Sequence, residues 1–459
     1  MVDSDNSSTP IQKSLKHRII HAGIWSLGGY AFSMIMRFGS NLIMTRLLVP
    51  EMFGIMAIAS TIMIGLAMFS DIGLRQNIVQ SIRGSDPAFL NTAWAIHIYR
   101  GIVLWLAGLA IAVAIWIAQV MDLTPAGSTY ADRNLPIVLA VISIVSLIVG
   151  FESTKLYEAT RNLQLKAASK IDIASQLAGL FVMLLWALNQ RSIWALVAGN
   201  ISGVFVKTIL THWWLDGSSN RWKLEPAAFR EIVHFGRWLF ISSILAFLVS
   251  NTDRIILSGL VDPTTFGIYA IAVLMYGAFE QVLAKVISEV SFPALSEIIR
   301  QRRADLKRNY YRIFAVVASF AYFSCGMLLS QAKPLIALLY DSRYQQAGDM
   351  LQILSVGLLT IPFRLATDCF LALGMPQLLS HTISIRLASL VTLMPLGFYF
   401  FGFYGALWGI VLSNFLFLPL VLSYAAHHDF LDVRKELALL PVILAGFATG
   451  EVFRLITGF

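Results

Sequence analysis

Two stretches of this 459-residue chain repeat one another without a gap. His21-Ala-Gly23-Ile-Trp25 leads into Leu47-Leu-Val-Pro50-Glu-Met-Phe53-Gly-Ile-Met-Ala-Ile-Ala59, and His234-Phe-Gly236-Arg-Trp238 leads into Leu260-Val-Asp-Pro263-Thr-Thr-Phe266-Gly-Ile-Tyr-Ala-Ile-Ala272. Each pair has the same offset: 234 − 21, 263 − 50 and 266 − 53 all give 213. A repeat of this length embedded in apolar sequence means an internal duplication, so the chain must fold as two related membrane halves. That is the architecture of a transporter.

The composition places both halves in the bilayer. Hydrophobic residues make up 57% of the chain and charged residues 13%, with mean hydropathy +0.72. Soluble domains have roughly 45–50% apolar and about 25% charged residues. A net charge of +8 would fit a nucleic-acid partner, but the basic residues fall in short links between apolar runs, where they orient a membrane protein. Cys325 and Cys369 lie within apolar runs and lack the spacing of a metal or redox pair. Lys13, Lys16 and Arg18 precede an apolar stretch too long for a signal-peptide core, which therefore reads as a retained first span.

A helix needs about 20 apolar residues to cross the bilayer. Spans are expected near 20–46, 53–73, 92–120, 135–156, 171–189, 192–213, 236–260, 265–289, 309–330, 347–373, 378–400 and 403–425, with 437–457 either a thirteenth span or an interfacial helix. The expected fold is all-α: two parallel six-helix bundles, related by a pseudo-two-fold along the membrane normal, around a central cavity. Parallel halves follow from the six spans between the copies, an even number that returns the chain to the same side. The expected organisation is a disordered cytoplasmic tail over 1–18, an N-terminal bundle over 19–214, a cytoplasmic linker over 215–235, a C-terminal bundle over 236–426 and a further membrane segment over 427–459. Lysines and arginines at 13–18, 75–83, 161–170, 221–230, 300–308 and 434–435 share one side, which makes the N-terminus cytoplasmic. Arg300 to Arg308 read as part of this orientation signal.

Charges retained inside the spans carry the functional information, because each costs at least about 2.5–3.5 kcal/mol on insertion scales unless it meets water or a partner. Ser26, Tyr30, Ser33, Arg37 and Asn41 recur on one helical face of the first span. In its copy, adjacent Asp253 and Arg254 point about 100° apart, so at least one is expected to meet another helix. Glu280 lies deep in the eighth span, and Arg364 and Asp368 in the tenth have the spacing of a local ion pair. Arg100 and Lys207, nearer the span ends, complete a set of cavity cations with Arg37, Arg254 and Arg364. Forked guanidinium donors suit phosphate or pyrophosphate, while Asp253, Glu280, Asp368 and Asp71 are candidate coupling or gating carboxylates. No Walker loop, His-Glu-x-x-His motif or large soluble domain points to an enzyme, and no metal or organic cofactor is expected.

Pro50-x-x-Phe-Gly54, Ser70-Asp-Ile-Gly-Leu74, Trp194-Ala-Leu196, Asn251-Thr-Asp253-Arg-Ile and Phe266-Gly-Ile-Tyr269, taken in order, resemble the bacterial polysaccharide flippases. These belong to the superfamily that also holds the lipid II flippase and the multidrug and toxin extrusion antiporters. The resemblance implies two six-helix bundles in a V, alternating access, and a cargo of undecaprenyl-pyrophosphate-linked oligosaccharide moved to the periplasmic leaflet of the inner membrane. The products served are exopolysaccharide, capsule or O-antigen. By position, Asp253 matches the family's aspartate of the seventh span and Asp71 the one closing the second. H+ or Na+ would be the coupling ion, and membrane lipids, a polysaccharide polymerase and export machinery the partners, with no nucleic acid.

Two other functions take the same substrate class or fold. A drug or small-cation antiporter favours a carboxylate-dominated pocket, against which the deep arginines argue. A membrane polymerase or ligase of lipid-linked sugars needs a large periplasmic loop, and the longest candidate, 121–134, offers only Asp122, Asp132 and Arg133.

Overall fold

The computed structural model describes residues 10–287, 295, 297–299, 305–428 and 432–457, and these are helical almost throughout, with no strand among them. The helices are α1 Pro10–Leu47, α2 Pro50–Met68, α3 Leu74–Gln80, α4 Pro87–Val120, α5 Asn134–Ile142, α6 Ile144–Gly150, α7 Lys155–Arg161, α8 Leu165–Asn189, α9 Trp194–Trp213, α10 Pro226–Leu260, α11 Pro263–Val286, α12 Leu306–Leu339, α13 Gln346–Ser355, α14 Arg364–Ala372, α15 Pro376–Ser413, α16 Leu418–His427, α17 Val433–Leu437 and α18 Pro441–Thr457. Of the basic run at 300–308, Arg300, Arg302 and Arg303 lie outside the described residues.

Among the described residues, ten helices or helix groups have the length and hydropathy to cross a membrane, or eleven with the bent pair Asn134–Gly150 and Lys155–Arg161 as one span. The chain is a multi-pass membrane protein. One of the ten, Gln377–His427, runs to 51 residues and is divided at Gly402, whose φ of 66° and ψ of −154° interrupt the helix. The expected pair 378–400 and 403–425 meets at that break.

Local departures from the expected spans have physical causes. The span expected over 135–156 is instead broken: α5 and α6 end before residues 151–154, and α7 leaves at 61°. At 347–373 the middle is a 3-10 stretch, Val356–Phe363, containing Pro362, which has no backbone N–H to donate. Residues 226–235, expected as linker, are continuous with the following span in α10.

Contacts group the chain into two units. The first comprises residues up to Leu48, Ala59–Leu123 and Arg133–Ile244; the second comprises Val49–Ile58, Thr124–Asp132 and Leu245 onward. In the first unit, Leu74, Ile78, Phe89 and Leu90 form a fully packed core with Ala228 and Ile232, seating the start of α10 on α3 and α4. Arg83 clamps the same corner through Asp86 at 2.8 Å and Glu225 at 2.7 Å.

In the second unit the two copies of the repeat meet. A Cβ added to Gly54 would collide with the Pro263 carbonyl, and one added to Gly267 with the Pro50 carbonyl. The contact is reciprocal, as a local two-fold requires. Phe53 and Phe266 are both buried beside it. The repeated Pro-x-x-Phe-Gly therefore brings two helix starts within backbone contact, which only glycine permits.

The segment over 437–457 contains α18, all of which but Thr457 lies within a 24-residue candidate span, Val433–Ile456. It packs along α12 at Gly326 and Gly446, each of which faces a backbone carbonyl of the other helix. Gln331 Nε2 donates to the Gly450 carbonyl at 2.5 Å.

Candidate functional site

Each unit holds its own set of charged side chains on membrane helices. In the second unit, Arg364 at the start of α14 donates to Glu280 of α11 at 2.6 Å. The sequence spacing pointed to Asp368 as its partner, but no ion pair joins Arg364 and Asp368. Asp368 acts on it only through space. The 3-10 stretch before Arg364 changes the rotation at which α14 begins, and the i, i+4 rule concerns contacts along one helix, not across two.

Asp253 of α10 accepts a 2.6 Å hydrogen bond from the Tyr269 hydroxyl of α11. One member of the Asp253-Arg254 pair thus meets another helix, as their angular separation required. Tyr269 belongs to the repeat itself, in Phe266-Gly-Ile-Tyr269, and is fully buried. Arg254 is half-buried and forms no side-chain hydrogen bond or ion pair among the described residues. A further cation of this unit is Arg386 of α15. It sits within the electrostatic reach of Arg364, Glu280, Tyr276 and Asp253, so this group holds three arginines, counting Arg254, against Asp253, Glu280 and Asp368.

In the first unit, Arg37 of α1 is exposed and its side chain has no hydrogen bond or ion pair among the described residues. Along the same face, Ser33 Oγ accepts from Gln176 Nε2 of α8 at 2.9 Å. Lys207 of α9 is held by Asp172 of α8 at 3.1 Å and by Glu152 at 4.0 Å. Glu152 sits on the break between α6 and α7 and is 8% exposed. The break between α6 and α7 places Glu152, and α8 places Asp172, beside the same lysine.

Asp71 has a local task. Its Oδ1 accepts from the Gly73 amide at 2.9 Å, and Gly73 has φ of 61°, the left-handed conformation that glycine adopts freely. Ser243 Oγ approaches Asp71 Oδ2 at 3.5 Å. The Ser70-Asp-Ile-Gly-Leu74 motif is thus a turn from α2 to α3, with its aspartate bonded to its own backbone.

Arg100 of α4 donates through Nε to Ser70 Oγ at 2.9 Å and through Nη2 to the Ala67 carbonyl at 2.6 Å. No carboxylate lies within ion-pair distance of it among the described residues. It lines a cavity of about 320 Å³ with His97, Ser60, Ser146 and Asn200. His97, one helical turn before Arg100, has no sequence motif around it, though its i, i+3 relation to an arginine in a membrane span was readable.

The structure therefore sorts the five expected cations. Arg364 and Lys207 are neutralised by carboxylates, whereas Arg37, Arg100 and Arg254 have no ion pair. Among the described residues no group of His, Cys, Asp and Glu has the arrangement of a metal site.

The described residues form an all-helical membrane fold in two units. Solved structures share it: a lipid II flippase MurJ in an inward closed conformation has a TM-score of 0.67 at 12% identity, covering 95% of this chain and all of that one. An inward-facing multidrug resistance MATE family transporter of the MOP superfamily gives 0.61 at 12% identity, covering 92% and 94%. Residues 43–349 match the family described as polysaccharide biosynthesis protein, and the chain belongs to that family. It is similar to the lipopolysaccharide biosynthesis protein WzxC of Escherichia coli K12, at 22% identity over 75% of this chain and 67% of the relative. A putative O-antigen transporter of Shigella flexneri is 23% identical over 85% and 92%. The succinoglycan biosynthesis transport protein ExoT of Rhizobium meliloti is 21% identical over 73% and 66%.

Proposed function

We propose that this chain is a flippase that moves undecaprenyl-pyrophosphate-linked oligosaccharide repeat units across the bacterial inner membrane by alternating access, with its N-terminus in the cytoplasm. It serves exopolysaccharide, capsule or O-antigen assembly, alongside a polymerase and export machinery. Family membership and the relatives named as polysaccharide transporters support this reading. The observation that carries it chemically is that Arg254, on the membrane-length helix Leu239–Leu260, has no ion pair among the described residues, and that Arg37 of α1, in the other half of the duplication, has none either. A guanidinium left without a counter-charge at membrane depth faces a wet space or a ligand, and its fork matches the oxygens of a pyrophosphate.

The neutralised cations have another role in this reading. Arg364–Glu280 and Lys207–Asp172–Glu152 hold helices together, while Asp368 is the carboxylate through which an H+ or Na+ gradient couples to transport. Asp253 and Asp71 position Tyr269 and the turn at Gly73.

The test is export in cells lacking the chromosomal gene. Arg37→Ala with Arg254→Ala abolishes polysaccharide export while the protein still accumulates in the inner membrane. Wild-type export by the double variant would remove both arginines from the site. A drug or cation antiporter on the same fold predicts instead that vesicles exchange organic cations for H+ or Na+, with no dependence on these arginines.

A further inference from the structure

Lys207 is one ammonium between two carboxylates. It belongs to α9, Asp172 to α8 and Glu152 to the break between α6 and α7, so three separate elements of the first unit meet at it. Asp172 stands 3.1 Å from Lys207 Nζ with its side chain 45% exposed, whereas Glu152 stands at 4.0 Å with its side chain 10% exposed. The ammonium neutralises one negative charge and leaves the other. The wet carboxylate keeps its charge at little cost and holds the lysine close; the nearly dry one has only a distant share of it.

The other polar groups at the break are spent on backbone. The Phe151 carbonyl accepts from His212 Nε2 at 2.8 Å and from Trp94 Nε1 at 3.4 Å. The Ser153 amide donates to Thr211 Oγ1 and the Thr154 amide to Asn220 Oδ1, each at 3.1 Å, and Lys155 Nζ donates to the His212 carbonyl at 3.0 Å. The Glu152 carboxylate forms no hydrogen bond among the described residues, and the charges that act on it are Lys207 and Asp172. Of the remaining titratable groups nearby, Arg75 of α3 acts on Lys207, and Arg75, Arg100 of α4 and Asp71 act on Tyr157 of α7, against which the His97 ring packs.

An ionisable group kept at a broken membrane segment without its full counter-charge is suited to carrying a proton. We propose that Glu152 is a proton-binding site whose occupancy selects the element to which Lys207 is tied. With the proton on, Lys207 pairs with Asp172 alone, the arrangement of this structure. With the proton off, the bare carboxylate draws Lys207 towards the break. α8 and α9 are held in register by backbone contact, since a Cβ at Gly179 would lie 2.7 Å from the Gly199 carbonyl, so the break is the element that gives. The site lies wholly within the first unit, and the inference holds whatever cargo the protein carries.

The experiment uses the full-length protein in detergent. Infrared difference spectra between neutral and alkaline buffer report carboxylic acids by their carbonyl stretch, and exposed carboxylates, which titrate near about pH 4, stay silent. Wild-type protein shows an acid band at neutral pH that Glu152→Gln lacks. Asp172→Asn, which leaves Lys207 to Glu152 alone, loses the same band, and Lys207→Met keeps it to higher pH. Amide exchange across Lys155–Arg161, corrected for the intrinsic rate, reads the second half of the proposal: in wild type its protection rises about fivefold as the proton leaves, the scale of one partly exposed ion pair, and in Glu152→Gln it does not change with pH. Identical acid bands in wild type and Glu152→Gln overturn the proton site, and an equal pH dependence of exchange in the two overturns the switch.

Discussion

The charged residues illustrate what a single helix can and cannot reveal. Spacing fixes the rotation of Arg37, Asp253 and Arg254 about their own axes, and depth marks Arg364 and Glu280 as costly. Which helix each would face was not readable, because that depends on packing between segments far apart in sequence. Arg364 accordingly found Glu280, 84 residues away, in preference to Asp368 four residues on. Its energetics are testable. Removing one member of a buried pair costs about 3–5 kcal/mol, and these side chains, 31% and 28% exposed, should fall below that range. Glu280→Met or Arg364→Met alone lowers the thermal midpoint in detergent, and the double variant recovers part of the loss. Strict additivity would show that the pair does not couple. Gly267 offers a second case: Gly267→Ala forces its Cβ onto the Pro50 carbonyl, and overpacking of this kind costs about 1–3 kcal/mol. An unchanged midpoint would mean that the contact at the repeat is loose.

Elements were legible where apolar runs were long, and less so where a helix breaks. Nothing in the hydropathy of 135–156 announces the departure of α7, since hydropathy reports burial and not direction. The last segment was undecided because Glu451 and Arg454 interrupt it; they sit one turn apart at 3.8 Å, while Gly446 and Gly450 turn the other face onto α12. Gly446→Leu should detach α18, seen as faster amide exchange across Pro441–Thr457 with α1–α9 unaffected. Helix starts give a pH prediction. Asp86 caps α4 by accepting from the Ala88 amide at 3.0 Å, and its bond from Arg83, then that amide, hold its carboxyl below the usual carboxylate range. Asp262 caps α11; burial pushes its carboxyl upward, but bonds from Thr265 and Thr264 outweigh this and lower it. A depressed carboxylate stabilises the fold above its unfolded pKa of about 3.9 and loses that contribution as pH falls through the folded value. Stability therefore declines below about pH 4, and Asp86→Asn makes that decline shallower. An identical acid profile in the variant would contradict the assignment.

At the scale of the whole molecule, the duplication was the most legible feature, and the structure gives it a physical purpose. Its Pro-x-x-Phe-Gly copies pack against each other, so selection for close backbone approach acts on both at once. The charges do not repeat: Arg37 corresponds to Ser250 and Asn41 to Arg254, by the 213-residue offset. A shared framework with unlike charges is what an asymmetric substrate needs, with a pyrophosphate at one end and sugars at the other. The family match over 43–349 and the relatives named as polysaccharide and O-antigen transporters make the flippase reading the central claim. Its most direct test is reconstitution into vesicles with a labelled undecaprenyl-pyrophosphate oligosaccharide, following its transfer to the leaflet protected from an added glycosidase under an imposed ion gradient. Wild-type protein should transfer the lipid well above protein-free vesicles, and equally reconstituted Arg37→Ala/Arg254→Ala protein should stay at background. Transfer by the double variant at the wild-type rate, or none by the wild type under either an H+ or a Na+ gradient, would contradict the account.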